Sequence, residues 1–245
     1  MIAGEVARRV AEVRDRIARA AIRAGRDPAA VRLIAVTKGV ELEAMSAAAE
    51  AGVAEFGENR VQEALAKMGR AGPAAGRWTW HLIGRLQTNK ARAAVGRFVV
   101  IHSVDSPRLG EAIEAAASAA GIRQRVLVQV NLGDEPQKGG VAASELGALL
   151  EELLRCPHVR VDGLMTIPPP ASDPEQARPH FRELRRLGRE MERAVPGGTL
   201  AEYSMGMSGD FEAAVEEGAT MVRVGSAIFG PRERAAVPAR PGERA

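Results

Sequence analysis

One lysine and two small-residue loops hold most of the chemistry that this sequence can offer. Among 34 lysines and arginines only Lys38, Lys67, Lys90 and Lys138 are lysine, so a lysine kept at the end of a β-rich run raises a chemical question. Lys38 directly follows Leu33-Ile34-Ala35-Val36-Thr37, and strand alternation puts Ile34, Val36 and Lys38 on one face. An inward amine is partly desolvated, which disfavours the ammonium form and frees the nitrogen to attack a carbonyl and form a Schiff base. Arginine cannot do this. A lysine that merely caps the strand with its head in water fits the position equally well. Lys67 and Lys90 fall in helical contexts that read as surface.

The first loop is Tyr203-Ser204-Met205-Gly206-Met207-Ser208-Gly209-Asp210, set between a strand and the helix that opens at Phe211. Such a turn offers backbone N–H groups and two hydroxyls to an anion. The second is Arg223-Val224-Gly225-Ser226-Ala227-Ile228-Phe229-Gly230. Each alone is explained as well by an ordinary strand-helix turn. Together with an inward lysine on a neighbouring strand they point to a phosphorylated carbonyl ligand, and pyridoxal 5'-phosphate fits both ends. Alternation aligns Met221, Arg223 and Gly225, so Arg223 would face the same ligand. A guanidinium opposite a pyridine nitrogen disfavours ring protonation and weakens the cofactor as an electron sink.

These residues need a scaffold, and the hydrophobic periodicity supplies one. Val6, Val10, Val13, Ile17 and Ala20 or Ala21 form one stripe of a helix from about Ile2 to Ala24 that Gly25 stops. Strands read at Arg32 to Thr37, Val53 to Gly57, Thr79 to Ile83, Phe98 to His102, Arg125 to Asn131, Arg160 to Met165, Leu200 to Ser204 and Thr220 to Gly225, with helical stretches between. Eight strand-helix units imply a parallel sheet that can close as a (β/α)8 TIM barrel with an extra N-terminal helix. An open doubly wound sheet is the main rival. Closure is favoured because Lys38, Asn59, His81, Asn131, Ser204 and Arg223 all sit at strand ends, which in a barrel form one face. On this count the two loops follow strands seven and eight, where barrels frequently hold phosphate. No linker divides the chain, so residues 1–231 read as a single barrel domain and 232–245 as a frayed tail.

Composition narrows the function classes. With 245 residues, 46% hydrophobic and 27% charged, the chain can bury a core and is neither disordered nor disulfide-stapled. No run resembles a membrane span or a secretory signal. The single Cys156 has no partner for a disulfide or a zinc site, so it reads as structural, in a reducing cytoplasm. The Arg-dense stretch from Arg178 to Arg193 is interleaved with Glu183, Glu190 and Glu192, as a solvated helix face would be. A net charge of +3 and 3% aromatics argue against nucleic acid as a partner.

Longer motifs carry a resemblance. Leu33 to Lys38, Phe56-Gly57-Glu58-Asn59-Arg60-Val61-Gln62-Glu63, Trp80-His81-Leu82-Ile83-Gly84-Arg85-Leu86-Gln87-Thr88-Asn89-Lys90, His102-Ser103-Val104-Asp105, Gly163-Leu164-Met165, Ser204 to Ser208 and Val222 to Gly230 occur in order. Over about residues 5 to 230 the chain resembles the pyridoxal phosphate homeostasis proteins, or YggS-type proteins, which are barrels related to the N-terminal domain of alanine racemase. The resemblance implies that Lys38 is the Schiff-base lysine, that Ser204, Met205, Gly206, Met207, Ser208, Gly225 and Ser226 cradle the phosphate, and that Arg223 partners the ring nitrogen. Asn59 resembles a position near the cofactor. Ser226 stands where the family usually has Thr, which retains the hydroxyl. His81 reads equally as a mouth residue or a core histidine, and Lys138 as a solvated loop lysine or a second docking point.

The function implied is a monomeric binding protein that holds pyridoxal 5'-phosphate reversibly and hands it to apoenzymes. The rival is an amino-acid racemase, which needs acid/base groups on both faces of the substrate carbon. The sole tyrosine, Tyr203, is turned by alternation away from Ser204 and the ligand face. A Schiff-base aldolase would need a proton-shuttling carboxylate or tyrosine beside Lys38, and no motif supplies one.

Overall fold

The computed structural model describes residues 2–133, 139–170, 172–195 and 200–231. Lys138 and the 232–245 tail lie outside them. The eight runs read from the sequence all form strands: β1 (Arg32–Val36), β2 (Glu55–Glu58), β3 (Thr79–Leu82), β4 (Val100–Val104), β5 (Gln124–Asn131), β7 (Val159–Met165), β8 (Glu202–Ser204) and β9 (Met221–Val224). A two-residue β6 (Val141–Ala142), too short to show as a periodic run, pairs with Val130 and Asn131 at the edge of β5.

Each barrel strand pairs in parallel with its neighbours, β1 lies between β2 and β9, and the β4–β5 pairing joins the two halves. The sheet is therefore a closed ring of eight strands, and the open-sheet alternative is excluded. Each strand is followed by a helix on the outside: α2 (Leu42–Glu50), α3 (Val61–Ala71), α4 (Ala91–Ala94), α5 (Pro107–Ala119), α6 (Leu146–Leu154), α7 (Arg178–Ala194), α8 (Phe211–Glu216) and α9 (Ser226–Phe229).

The eighth helix, α9, is a single turn, too short to cover the strands where the ring closes. The N-terminal α1 (Ile2–Arg23) fills that place and packs against α2, α8 and α9. Its stripe of Val6, Val10, Val13, Ile17, Ala20 and Ala21 is buried, at about 1.5–3 kcal/mol for each large aliphatic side chain. Arg16 adds to the docking, with its guanidinium 4.5 Å above the Phe211 ring and 2.6 Å from Glu212. The helix is thus part of the barrel wall. On α7, Phe181, Leu184 and Leu187 face the core while Arg182 and Arg186 pair with Glu217, Glu183 and Glu190, which is the solvated face expected there.

Strand alternation divides the interior in two. Side chains facing the helices, such as Ala35, Phe56, Leu82, Ile101, Val126 and Leu164, join one large apolar shell. Those facing the axis form a small separate cluster of Ile34, Val100, Leu127, Met165 and Met221, interleaved with the buried polar side chains of His81, His102, Ser204 and Arg223. Among the described residues no helix is long and apolar enough to cross a membrane.

Candidate functional site

At the C-terminal end of the strands a cavity of about 260 Å³ is lined by Val36, Lys38, Asn59, Ile83, Ile167, Met207, Ser208, Gly209, Arg223, Gly225 and Ser226. Seven of the ten residues singled out in the sequence meet there. Ser204, Met205 and Gly206 do not line it. The polar members come from β9 itself and from the loops after β1, β2, β8 and β9, which only closure of the ring brings together.

Lys38 begins the turn after β1, half-buried, and its backbone is braced from behind. Thr37 N–H donates to the Gly57 carbonyl at 2.9 Å, and the Thr37 hydroxyl donates to Glu58 Oε1 at 2.7 Å. Lys67 Nζ reaches the same Glu58 oxygen at 2.7 Å and also donates to the Thr37 carbonyl. Lys67 is therefore not the surface lysine expected from its helix, since its side chain is 12% exposed. A signal was present: Lys67 follows the buried Val61 and Ala64 at a spacing of three on α3. Alternation turns Glu58 outward with Phe56, and a buried carboxylate there requires a cation.

Asn59 follows β2 and closes the next part of the rim. Gly84 packs so tightly on it that a Cβ at position 84 would stand 2.3 Å from the Asn59 carbonyl oxygen. The neighbouring Ile83 and, across the ring, Ile167 supply apolar wall. Both continue an inward alternation, from His81 and from Met165, past the end of the strand, so continuing the period would have found them.

The loop after β8 turns at Gly206, whose φ of +89° suits glycine and whose added Cβ would stand 2.5 Å from that of Ala214. Asp210 holds the loop by accepting the Met207 N–H at 2.6 Å. Burial raises the Asp210 carboxyl pKa, opposed by that amide and by the charge of Arg223. The Ser208 hydroxyl accepts the Gly225 and Ala227 N–H groups at 3.1 and 3.3 Å, so the loops after β8 and β9 meet on one oxygen. Two amides converging on a hydroxyl at a cavity wall are suited to an oxyanion.

Arg223 is 3% exposed and donates to the Ser204 hydroxyl at 2.6 Å and the Thr166 carbonyl at 2.9 Å. Burial pushes its pKa down to about 10, partly offset by Asp210, so it remains a cation at neutral pH. Ser204 lies beneath Arg223, inside the barrel, where it also contacts His102. Met205 belongs to the outer apolar shell. His81 is fully buried on the axis, so it is the core histidine of the two readings. Tyr203 faces α7, where its hydroxyl abuts Gly188 and Arg185 lies over its ring.

The mouth of a parallel barrel thus brings a lysine after the first strand into one cavity with a buried arginine and an amide-rich turn on the neighbouring last strand. The family "Alanine racemase, N-terminal domain" matches residues 9–233 of the chain. A pyridoxal phosphate homeostasis protein of Aquifex aeolicus is 44% identical over 225 residues, 92% of this chain and 97% of the relative. The structure of PipY from Synechococcus elongatus PCC7942 with PLP bound superimposes with a TM-score of 0.81 at 38% identity, over 92% of this chain and 100% of that one. The chain belongs to the family of pyridoxal phosphate homeostasis proteins. Alanine racemase from Corynebacterium glutamicum shares the fold at 20% identity and a TM-score of 0.68, and this chain spans 62% of its length.

Proposed function

We propose that the protein binds pyridoxal 5'-phosphate reversibly in the cavity at the barrel mouth, limits the free reactive aldehyde and releases it to apoenzymes. The observation that carries this reading is that Lys38, Arg223, Ser208 and Gly225 border one cavity of about 260 Å³, whose lining among the described residues contains no carboxylate, and that the Gly225 and Ala227 amides converge on Ser208 at its wall. When bound, the cofactor supplies an aldehyde able to condense with an amine. Lys38 is the amine that lines the cavity, and the Thr37, Glu58 and Lys67 brace holds its backbone in place. The amides of Gly225 and Ala227, which the Ser208 hydroxyl otherwise occupies, and the Ser226 hydroxyl would hold the phosphate, Ile83 and Ile167 the ring faces, and Arg223 the ring nitrogen. A cation at that nitrogen keeps it unprotonated, which suits storage better than carbanion chemistry.

The racemase reading finds no tyrosine for its second base, because the one tyrosine of the sequence points into α7. Incubation with pyridoxal phosphate, borohydride reduction and peptide mapping test the proposal, with the adduct expected on Lys38. An adduct on Lys67, Lys90 or Lys138 instead, or none, rejects it. Rapid loss of optical rotation from L-alanine would replace the carrier reading with the racemase one.

A further inference from the structure

Below Arg223 a line of polar groups descends the barrel axis, away from the cavity lining. Arg223 meets Ser204 Oγ at 2.6 Å, Ser204 Oγ meets His102 Nδ1 at 2.9 Å, His102 Nε2 meets His81 Nδ1 at 3.0 Å, and His81 Nε2 meets Glu55 Oε2 at 3.0 Å. The last is a charge contact whose angle falls short of a straight hydrogen bond. Five strands supply the five residues, and both imidazoles are fully buried.

The order of protons along this line follows from its ends. Burial raises the Glu55 carboxyl pKa, but contact with His81 and the charges of Arg32 and Arg125 outweigh it and keep the group ionised, an acceptor only. Burial lowers the pKa of both histidines, and Arg32 and Arg125 below and, for His102, Arg223 above lower them further; Glu55 opposes this at His81 without reversing it. A neutral His81 facing a carboxylate carries its proton on Nε2, which leaves Nδ1 bare. His102 must then carry its proton on Nε2, and its bare Nδ1 accepts the Ser204 hydroxyl proton. The Ser204 rotor is thereby fixed with its lone pairs toward Arg223.

We infer that His81, His102 and Ser204, anchored at Glu55, are positioning residues that hold the Arg223 guanidinium in one orientation toward the ring nitrogen of the cofactor. The inference rests on the pyridoxal phosphate reading. An apolar axis would fill the same volume, since barrel interiors are mostly packed with branched aliphatic side chains. What the polar line adds is an acceptor for Arg223 that cannot rotate away.

Two measurements test it. Long-range 1H–15N spectra of the ligand-free wild type at neutral pH should show His81 and His102 both as Nε2–H tautomers. An Nδ1–H tautomer or an imidazolium at either overturns the proton order, and this reading needs no variant. With ring-15N pyridoxal phosphate, the wild-type ring resonance should stay at its unprotonated position between about pH 6 and 8. In His102→Leu it should shift toward the pyridinium position as the pH falls through that range. His102→Gln, which keeps a donor and an acceptor, should restore the wild-type behaviour. A His102→Leu protein that loads normally and leaves the ring resonance unchanged refutes the positioning role. A wild type that forms no reducible adduct refutes the pyridoxal phosphate reading itself, which tells the two failures apart.

Discussion

The floor of the barrel and the arginine beneath its mouth handle charge differently. At the floor, Arg32 lies 2.6 Å from Glu202, Arg125 and Arg160 share Asp162, and the Thr220 hydroxyl donates to the second Glu202 oxygen at 2.6 Å. At the mouth, Arg223 is more deeply buried, yet its hydrogen bonds go to a hydroxyl and a carbonyl. A buried cation with only neutral acceptors is a cost to folding, whereas one with a carboxylate in contact is compensated. The contrast shows where to look for function: the paired floor seals the ring, whereas the mouth presents a buried cation, offset in part by Asp210, whose remaining N–H donors can meet a ligand acceptor.

The largest expected effect falls on the mouth. Lys38→Ala should abolish the borohydride-trapped pyridoxyl adduct and the visible absorption of the loaded protein. It should leave thermal stability within about 0.5 kcal/mol of wild type, as for a substitution outside the packed core. A Lys38→Ala protein that still yields a trapped adduct would dissolve the contrast, because the amine would then lie elsewhere.

Acid should strike the axis between the two ends next. The pKa values of His81 and His102 in the folded state lie below the ordinary value of about 6.5. Above that value both states are neutral and pH has no effect through these groups. As the pH falls below it, the unfolded chain takes up protons that the folded one refuses, so stability declines. The slope is at most about 1.4 kcal/mol per pH unit for each histidine. Denaturant midpoints measured across this window should decline, and His102→Leu should flatten the decline. An equal slope in that variant would mean that His102 is protonated in the fold.

At the floor, Glu202→Ala removes the acid that Arg32 and Thr220 contact and that Arg125 approaches at 3.8 Å. The groups are partly solvated, so the expected loss is about 2 kcal/mol, or roughly 5 °C in Tm, with cofactor loading unchanged. Unchanged stability, or loss of loading, would erase the division of labour between the ends.

How far this division could be read from sequence depends on the range of the interactions. The eight strands, the α1 stripe and the inward direction of Lys38 and Arg223 follow from periods of 2 and 3.6 in local sequence, and they agree with the structure. The partners across the barrel do not. Nothing near Ser204 indicates that its hydroxyl serves His102, 102 positions away, or that Lys67 braces Thr37 from α3. Such contacts arise only when the ring closes. For the same reason the two serines of the loop Ser204 to Ser208 read alike in sequence, whereas register sends Ser204 inward beneath Arg223 and Ser208 to the cavity wall.

The smallest effect is expected where the two loops of the mouth touch. The Ser208 hydroxyl is the acceptor for the Gly225 and Ala227 amides, at 3.1 and 3.3 Å. Ser208→Ala removes that acceptor from two half-buried donors, and partial access of water limits the loss to about 1 kcal/mol. If an oxyanion of the cofactor takes over those amides when it binds, the hydroxyl matters less in the loaded protein than in the empty one. The Tm difference between wild type and Ser208→Ala should then narrow as pyridoxal phosphate is added. Saturating inorganic phosphate should narrow it in the same direction, whereas pyridoxal, which lacks the phosphate, should leave it alone. A gap that stays constant with all three would show that these amides never receive an anion, and the mouth would lose the feature that most distinguishes it from the floor.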